Sequence, residues 1–260
     1  MIKNIIFIIY MCINILSFSA AAENLVSRDL NQIIASGKLI VAIIDKETPP
    51  FITGNRDGEP EGLEVDLARD IARKLELSLD IVKTGYFDGV VDLVTKGKAD
   101  IGISNLSITC DRAKDIKFTD SYRILKLTLL LNRMKLASLR LSDGLKNAGQ
   151  LKDTTGPVGV VEGSAYEAAA REYFIKADFK TYKEYRDMIN AAEGGEVLMA
   201  VGNDVTMDSF LKKEPRLLVR LQPFNIDGHQ DHIAMAVGLE NDHLLSWLNA
   251  YLTVKGIKQR

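Results

Sequence analysis

The chain has 260 residues, which is enough for one large domain or two small ones. Hydrophobic residues make up 47% and charged residues 26%, close to globular averages, which excludes a disordered, collagen-like or disulfide-scaffold chain. The formal net charge is only −2, so no basic surplus favours nucleic acid. No apolar run reaches the roughly 20 residues of a membrane-spanning helix.

Residues 1–22 predict a secretory signal peptide. A single lysine precedes an apolar run from Ile5 to Phe18, and Ala20–Ala22 has the small-x-small form that signal peptidase accepts. An N-terminal membrane anchor is the alternative, but the run is short for one. Cys12 lacks the preceding small residue that lipid modification requires. Cleavage would leave Cys110 as the single cysteine, so no intramolecular disulfide is expected.

After this segment, short apolar runs alternate with amphipathic stretches. In Glu64–Leu77, apolar residues recur at helical spacing and charges occupy the opposite face. The predicted strands are Leu39–Ile44, Leu79–Val82, Asp100–Ser104, Leu125–Leu131, Val158–Val161, Phe179–Tyr182, Leu198–Val201, Leu217–Leu221 and Ile233–Val237. The predicted helices are Glu64–Leu77, Phe87–Lys96, Ala165–Phe174, Glu184–Glu193, Val205–Lys212 and Asp242–Leu252. The polar stretch Ser138–Thr155 is predicted to be a surface excursion.

Strands separated by helices predict an α/β fold with mostly parallel sheets. Open sheets of this kind bind ligands at the carboxyl ends of their strands. Function is therefore expected in the loops that follow Ile44, Ser104, Val161 and Val201.

The most informative loop follows the predicted strand Asp100–Ser104. It carries Ser107 and Thr109 and ends at Arg112. Hydroxyl groups and a guanidinium fork are donors suited to one carboxylate. Taken alone, such an arginine is also common on protein surfaces, so the pattern needs its context.

Seven segments, in chain order, together resemble the family 3 extracellular solute-binding proteins, the polar amino-acid receptors of ABC importers. The resemblance covers nearly the whole chain after the signal peptide, and its most specific part is the loop that ends at Arg112. The matching segments are Gly37–Ala42, Pro49–Phe51, Gly62–Ala68, Gly97–Arg112, Phe118–Tyr122, Val158–Ser164 and His232–Val237. In the fifth segment, Ser121 replaces a proline that the family usually has.

The resemblance implies a two-lobed, periplasmic-binding-protein-like fold (type II) with two hinge strands. Lobe 1 would comprise residues 25–126 and 230–260, and lobe 2 residues 127–229. The implied function is to capture a free amino acid in the cleft between the lobes and deliver it to an ABC permease in the inner membrane. The protein would be a periplasmic monomer without enzymatic activity, cofactor, metal or nucleic-acid partner.

The family pattern also assigns roles to individual residues. Arg112 and Ser107 would hold the α-carboxylate of the ligand, assisted by Ser164 at a helix N-terminus, which favours an anion. Ser104 and Asn105 would meet the α-ammonium group.

An acid at the end of the strand Leu198–Val201 usually completes the ammonium site. Asn203 falls on the commonest position of that acid, and Asp204 follows it. We favour Asp204, because a buried ammonium group without a negative partner is costly. A helix N-cap is the structural alternative for Asp204.

Three further residues are candidates for contacts with the ligand side chain. Phe87 falls where relatives place a stacking side chain, and Phe51 follows two prolines that would position it. Core packing is the alternative for both. Asp45, at a strand end, would bind a basic side chain or act as a turn residue. Thr48 replaces the usual aromatic, which weakly favours a polar ligand over a large aromatic one.

Other functions are weighed against transport. Acids and two histidines between Asp227 and His232 are too weak a pattern to predict a metal site, and Cys110 is more readily explained as a loop residue than as a reactive one. A cyclohexadienyl dehydratase of the same fold would need a general acid, for which Glu47 and Glu162 are the candidates. A ligand sensor with a membrane partner is the remaining alternative.

Overall fold

The computed structural model describes residues 28–54, 58–139 and 148–257. Its helices are α1 (Leu30–Ser36), α2 (Leu63–Lys74), α3 (Phe87–Thr95), α4 (Arg133–Ser138), α5 (Ala165–Tyr173), α6 (Tyr185–Gly194), α7 (Asp204–Lys213), α8 (Leu217–Arg220) and α9 (Asp242–Lys255). Its strands are β1 (Lys38–Ile44), β2 (Thr53–Gly54), β3 (Pro60–Glu61), β4 (Ser78–Thr84), β5 (Ile101–Gly102), β6 (Lys117–Phe118), β7 (Arg123–Asn132), β8 (Pro157–Val161), β9 (Asp178–Tyr182), β10 (Met199–Asn203), β11 (Leu221–Ile233) and β12 (Ala236–Val237). Short 3-10 turns cover Arg112–Lys114 and Ala148–Leu151.

The first sheet has the strand order β4-β1-β5-β12-β6. Strands β4, β1 and β5 are parallel because α2 and α3 cross over between them, whereas β12 and β6 are antiparallel additions. On α2, Val65, Ala68, Ile71 and Ala72 are buried, as their helical spacing predicts. We call this sheet with α1, α2, α3 and α9 the first lobe.

The second sheet has the strand order β11-β7-β10-β8-β9. Strands β10, β8 and β9 are parallel, with α5 and α6 as crossovers, and β7 and β11 are antiparallel to their neighbours. Both sheets are therefore mixed, and only three adjacent strands in each are parallel as predicted. We call β8–β10 with α4–α8 the second lobe.

Strands β7 and β11 connect the two lobes and pair with each other, and we call them the linking strands. Their antiparallel register runs from Leu221 opposite Asn132 to Ile233 opposite Arg123, with an irregularity in β11 between Asn225 and Gln230. The predicted lobe boundaries at 126/127 and 229/230 fall inside these strands and remain predictions. A continuous cluster of buried apolar residues contains members of both lobes and of the linking strands.

The predicted strand Leu217–Leu221 is wrong. The segment Leu217–Arg220 forms the short helix α8, and Leu221 is the first residue of β11. Pro215 begins this turn, and its carbonyl accepts a hydrogen bond from Leu218 N–H at 3.1 Å. Because proline has the φ angle of a first helical turn, the local chain favours helix over strand here.

The predicted strand Ile233–Val237 is also divided differently. Ile233 ends the 13-residue strand β11, and only Ala236 and Val237 form β12 in the first sheet. Most of β11 could not be predicted as a strand from the sequence, because its apolar and polar residues do not alternate clearly. The polar excursion that we predict from Ser138 lies in part outside the described residues.

Gly62 starts α2 in a conformation that glycine alone adopts easily, with φ of 109°. A Cβ atom there would lie 2.8 Å from the Pro50 carbonyl oxygen and closer still to that of Phe51. These are backbone atoms, so a side chain at position 62 would have to displace the Pro50–Phe51 loop.

We therefore expect Gly62→Ala to lower the free energy of unfolding by about 2–4 kcal/mol, since strain and overpacking add. Gly37→Ala is the matched control, because Gly37 has a φ of 68° but no atom within 4 Å of its added Cβ. It should cost only about 1–2 kcal/mol. Urea unfolding measures both, and equal effects of the two substitutions would contradict the steric argument.

Candidate functional site

A cavity of about 360 Å³ lies between the lobes, where the loop after β5 faces the start of α5. The first lobe contributes Asp88, Thr109, Asp111 and Arg112, and the second lobe contributes Gly163, Ser164, Ala165, Glu167, Ala168 and Arg171. The carboxyl end of β5 and the carboxyl end of β8 thus open onto one space, as the open-sheet rule predicts. The structure brings together two of the predicted carboxylate ligands, Arg112 and Ser164.

Arg112 is 8% exposed and its guanidinium is fixed by three hydrogen bonds. Nε and one terminal nitrogen donate to Asp88 Oδ1, each at 3.1 Å, and the other terminal nitrogen donates to the Ser107 carbonyl at 3.1 Å. One N–H on each terminal nitrogen remains for another acceptor. Asp88, which sequence reasoning missed, therefore shares Arg112 with any anion that enters the cavity.

Ser164 is the N-cap of α5. Its hydroxyl accepts a hydrogen bond from Glu167 N–H at 3.1 Å and donates one to the Val161 carbonyl at 2.8 Å. The Ser164 hydroxyl, which we expect to bind the ligand, therefore already forms the hydrogen bonds of the helix cap. The first amides of a helix have no partner within the helix, and Ala165 lines the cavity, so α5 still presents N–H groups and a positive dipole end to an anion.

Ser104 and Asn105 lie at the carboxyl end of β5 and are both buried. Ser104 Oγ accepts a hydrogen bond from Ile44 N–H at 2.8 Å, which ties the end of β1 to this loop. Asn105 has a left-handed backbone with φ of 51°, and its side-chain Oδ1 is buried without a hydrogen-bond partner. An orphaned acceptor at a strand end is available to a ligand donor.

The end of β10 differs from the expectation for Asp204. Asn203, not Asp204, is the N-cap of α7, and its Oδ1 accepts from Thr206 N–H at 2.8 Å. The Asn203 Nδ2 group is buried without a partner. Asp204 is half-buried, and its Oδ1 accepts from the backbone N–H groups of Lys126 at 3.1 Å and Val205 at 3.0 Å. Asn203 thus presents a neutral donor where an acid would be expected.

The three candidates for side-chain contacts lie apart from this cavity. Phe51 is fully buried in the first lobe beneath the Arg123 guanidinium, 5.1 Å from the ring centroid, and Phe87 is buried in the same apolar cluster. Both make the core contacts that were the alternative for them. Asp45 is exposed, 3.7 Å from Lys83 Nζ, and lines a second inter-lobe cavity of about 230 Å³.

Lys46 crosses between the lobes at this second cavity, and its side chain is only 6% exposed. Its Nζ donates to the Lys183 carbonyl of the second lobe and lies 3.9 Å from Glu184 Oε1. Burial raises the pKa of the Glu184 carboxyl, and the Lys46 charge opposes that rise. A second, solvent-exposed pair joins Glu47 to Lys213 at 3.2 Å.

Sequence reasoning also misses the buried acids Glu64 and Asp231, since nothing in the local pattern of either residue predicts its burial. Glu64 accepts from Tyr122 OH at 2.6 Å and from Asn105 N–H at 3.1 Å, so it supports the loop that carries Asn105. Desolvation raises the pKa of Glu64 above its ordinary value, although these hydrogen bonds oppose the rise. Asp231, on linking strand β11, is also buried, whereas the third buried acid, Asp100, forms an ion pair with Arg28 at 2.5 Å.

The remaining candidates for chemistry are exposed or isolated. Among the described residues, no group of three or more His, Cys, Asp and Glu side chains could hold a metal ion, and Cys110 is exposed. Glu47 and Glu162 are both exposed. No described helix is long and apolar enough to cross a membrane.

Two α/β lobes, two linking strands and a polar cleft between the lobes define the class of two-lobed binding proteins. The sequence profile of the bacterial extracellular solute-binding proteins, family 3, matches residues 40–254, so the chain belongs to that family. The resemblance described above is thereby confirmed. The members of this family are extracellular proteins.

Known relatives agree with this assignment. The L-cystine-binding protein TcyJ of Escherichia coli (strain K12) is 26% identical over 163 residues, covering 61% of this chain and 58% of the relative. The chain thus aligns with less than two thirds of that relative's length. The truncated arginine-bound ArgBP from T. maritima is 26% identical, with a TM-score of 0.71 and coverage of 87% of this chain and 100% of that chain.

AncCDT-1, an ancestral amino acid-binding protein and a precursor of cyclohexadienyl dehydratase, is similar in fold. Its TM-score is 0.74 at 24% identity, with coverage of 87% of this chain and 92% of that chain. The predicted α/β fold of two lobes is confirmed by these structures.

We expect Lys46→Met to loosen the contact between the lobes, because methionine keeps the apolar stem and removes the donor. The contact between the lobes should lose about 1–3 kcal/mol of stabilising free energy, as for a hydrogen bond to a charged group. Lys213→Met is the matched control, since its exposed ion pair should contribute almost nothing. Small-angle X-ray scattering should give a larger radius of gyration for Lys46→Met alone. An unchanged radius of gyration would show that Lys46 does not hold the two lobes together.

Proposed function

We propose that the protein binds a free polar amino acid between its two lobes and delivers it to an ABC permease in the inner membrane. The observation that carries the proposal is the inter-lobe cavity in which the Arg112 guanidinium faces the N-terminus of α5. A buried guanidinium and a helix N-terminus both favour a carboxylate, and they come from opposite lobes. A ligand held by both would stabilise the closed arrangement.

In this proposal, Arg112 and the first amides of α5 bind the α-carboxylate, and Ser107 supports Arg112 through its carbonyl. Asn105 Oδ1 and Asn203 Nδ2, both buried without partners, offer an acceptor and a donor to the rest of the ligand. Neutral polar groups of this kind favour a polar ligand. Ser104 acts by holding the β5 loop, through its hydrogen bond with Ile44.

The remaining candidates take supporting roles. Phe51 and Phe87 shape the lobe beneath the cleft, and Asp45 would meet a ligand only at the second inter-lobe cavity. Binding is favoured over catalysis, because the two glutamates nominated as general acids are exposed and neither lines the Arg112 cavity. The cystine- and arginine-binding relatives support an amino acid as the ligand.

The ligand class is tested by thermal unfolding in the presence of each of the twenty L-amino acids. A ligand that binds only the folded state raises the unfolding midpoint by an amount that grows with its concentration. A rise with one or a few polar amino acids is expected. Unchanged midpoints with all twenty would overturn the amino-acid proposal.

Arg112→Met should weaken binding of the amino acid that gives the largest rise by on the order of 2–5 kcal/mol, because the ligand carboxylate loses its buried partner. Arg69→Met is the matched control, since Arg69 is a half-exposed arginine of the same lobe on α2. Isothermal titration measures both variants. Full affinity in Arg112→Met would show that the carboxylate binds elsewhere.

We also propose that the chain is exported and cleaved after Ala22, so that the mature protein begins at Glu23. Expression of the full chain in a Gram-negative host should place a protein with this N-terminus in the periplasmic fraction. Mass spectrometry of the intact protein measures the cleavage position. An uncleaved protein that stays with the membrane fraction would support the anchor instead.

A further inference from the structure

Asp231 is a buried carboxylate at the junction of the two lobes. It lies on linking strand β11 and is 7% exposed. Its Oδ2 atom accepts a hydrogen bond from Ser107 Oγ of the first lobe at 3.0 Å and another from Tyr166 OH on α5 of the second lobe. Two neutral hydroxyl groups, one from each lobe, therefore orient this carboxylate.

No cation pairs with Asp231 in the part of the chain that the structure describes. Arg112 and His229 act on it electrostatically, but neither forms an ion pair with it. Its Oδ1 atom accepts no hydrogen bond from a described residue. Desolvation raises the pKa of the carboxyl, as is expected for a buried acid without a positive partner. An unpaired buried carboxylate is costly unless a cation reaches it.

Ser107 connects this carboxylate to the guanidinium of Arg112. The Ser107 carbonyl accepts from Arg112 at 3.1 Å, and the Ser107 hydroxyl donates to Asp231 at 3.0 Å. The guanidinium of Arg112 and the carboxylate of Asp231 are thus both held by hydrogen bonds to Ser107. The cation and anion of an α-amino acid are separated by a single carbon, so such a ligand matches this arrangement.

The space around Asp231 adjoins the space around Arg112. Asp231 and Ser107 line a cavity of about 400 Å³, which has Thr109, Ala165 and Ala168 in common with the Arg112 cavity. At the end of β10, Asn203 is neutral, and Asp204 is half-buried and accepts two backbone N–H groups through Oδ1.

We propose that Asp231 supplies the negative charge that meets the α-ammonium group of the ligand. This assignment rests on the proposed function, because it requires an amino-acid ligand in the cleft. It makes a linking strand, which both lobes share, part of the specificity site. The ligand would then connect Arg112 to Asp231 and bring a cation to a buried carboxylate that forms no ion pair with a described residue.

The test compares L-arginine, L-histidine and L-cystine with their 2-hydroxy analogues, in which a hydroxyl replaces the α-ammonium group. Isothermal titration is carried out on the full mature protein and on Asp231→Asn. We expect Asp231→Asn to weaken binding of the amino acid about ten- to a hundredfold, as for loss of a hydrogen bond to a charged group. Binding of the hydroxy analogue should change far less, which a general structural defect would not produce.

Asp227→Asn is the matched control, since Asp227 is an exposed acid on the same strand. Asp231→Ser is a second variant, which keeps a hydroxyl for Tyr166 and Ser107 in case the amide disturbs folding. Circular dichroism melting monitors the fold of each variant. The same selective loss in Asp231→Ser would support the proposal.

Three results would overturn the inference in distinguishable ways. Full affinity for the amino acid in both folded Asp231 variants would show that Asp231 does not meet the ammonium group, while the proposed function stands. Loss of affinity in Asp204→Asn, with no loss in Asp231→Asn, would show that the acid that meets the ammonium group is Asp204 at the end of β10. Binding of none of the three amino acids, together with a flat screen of all twenty, would overturn the proposed function and this inference with it.

Discussion

The antiparallel pairing of β7 and β11 is the constraint on which the rest of the structure depends. Both connections between the lobes are extended strands of the second sheet, and they pair from Arg123–Ile233 to Asn132–Leu221. At the first-lobe end, Ile233 also forms a bridge with Ser107, so the strands fix the loop that carries the predicted carboxylate site. A hinge motion of one lobe relative to the other would therefore have to bend these two strands.

The charges around the cleft are arranged in pairs, and this arrangement limits what the cleft can bind. Arg112 is shared with Asp88, and Lys46 reaches Glu184 and the backbone of the second lobe. Asp231 differs, since its partners are two hydroxyl groups. A net charge near zero is consistent with this arrangement, because the specificity for a ligand then depends on a few fixed groups and not on a long-range electrostatic field.

The candidate site was only partly predictable. The loop that ends at Arg112 was identified through its resemblance to the family motif, because a strand followed by hydroxyl residues and an arginine is too common a pattern to indicate a site by itself. The choice between Asn203 and Asp204 was not predictable, since both are good helix-capping residues at adjacent positions and only the backbone decides which one caps α7. Asp88 and Lys46 were missed, because nothing near them in sequence indicates that their partners lie in a loop or in the other lobe.

For the fold, the sequence by itself determined the alternation of strands and helices and the two-lobed family, since short-range apolar periodicity and ordered motifs carry both. The sequence could not determine the short helix at Leu217 or the long polar strand β11, because the conformation that the local residues favour competes there with pairing in the sheet. The tertiary structure alone decided that Asp231 is buried. Its partners Ser107 and Tyr166 lie 124 and 65 residues away in sequence, and only the pairing of the linking strands brings them to one carboxylate.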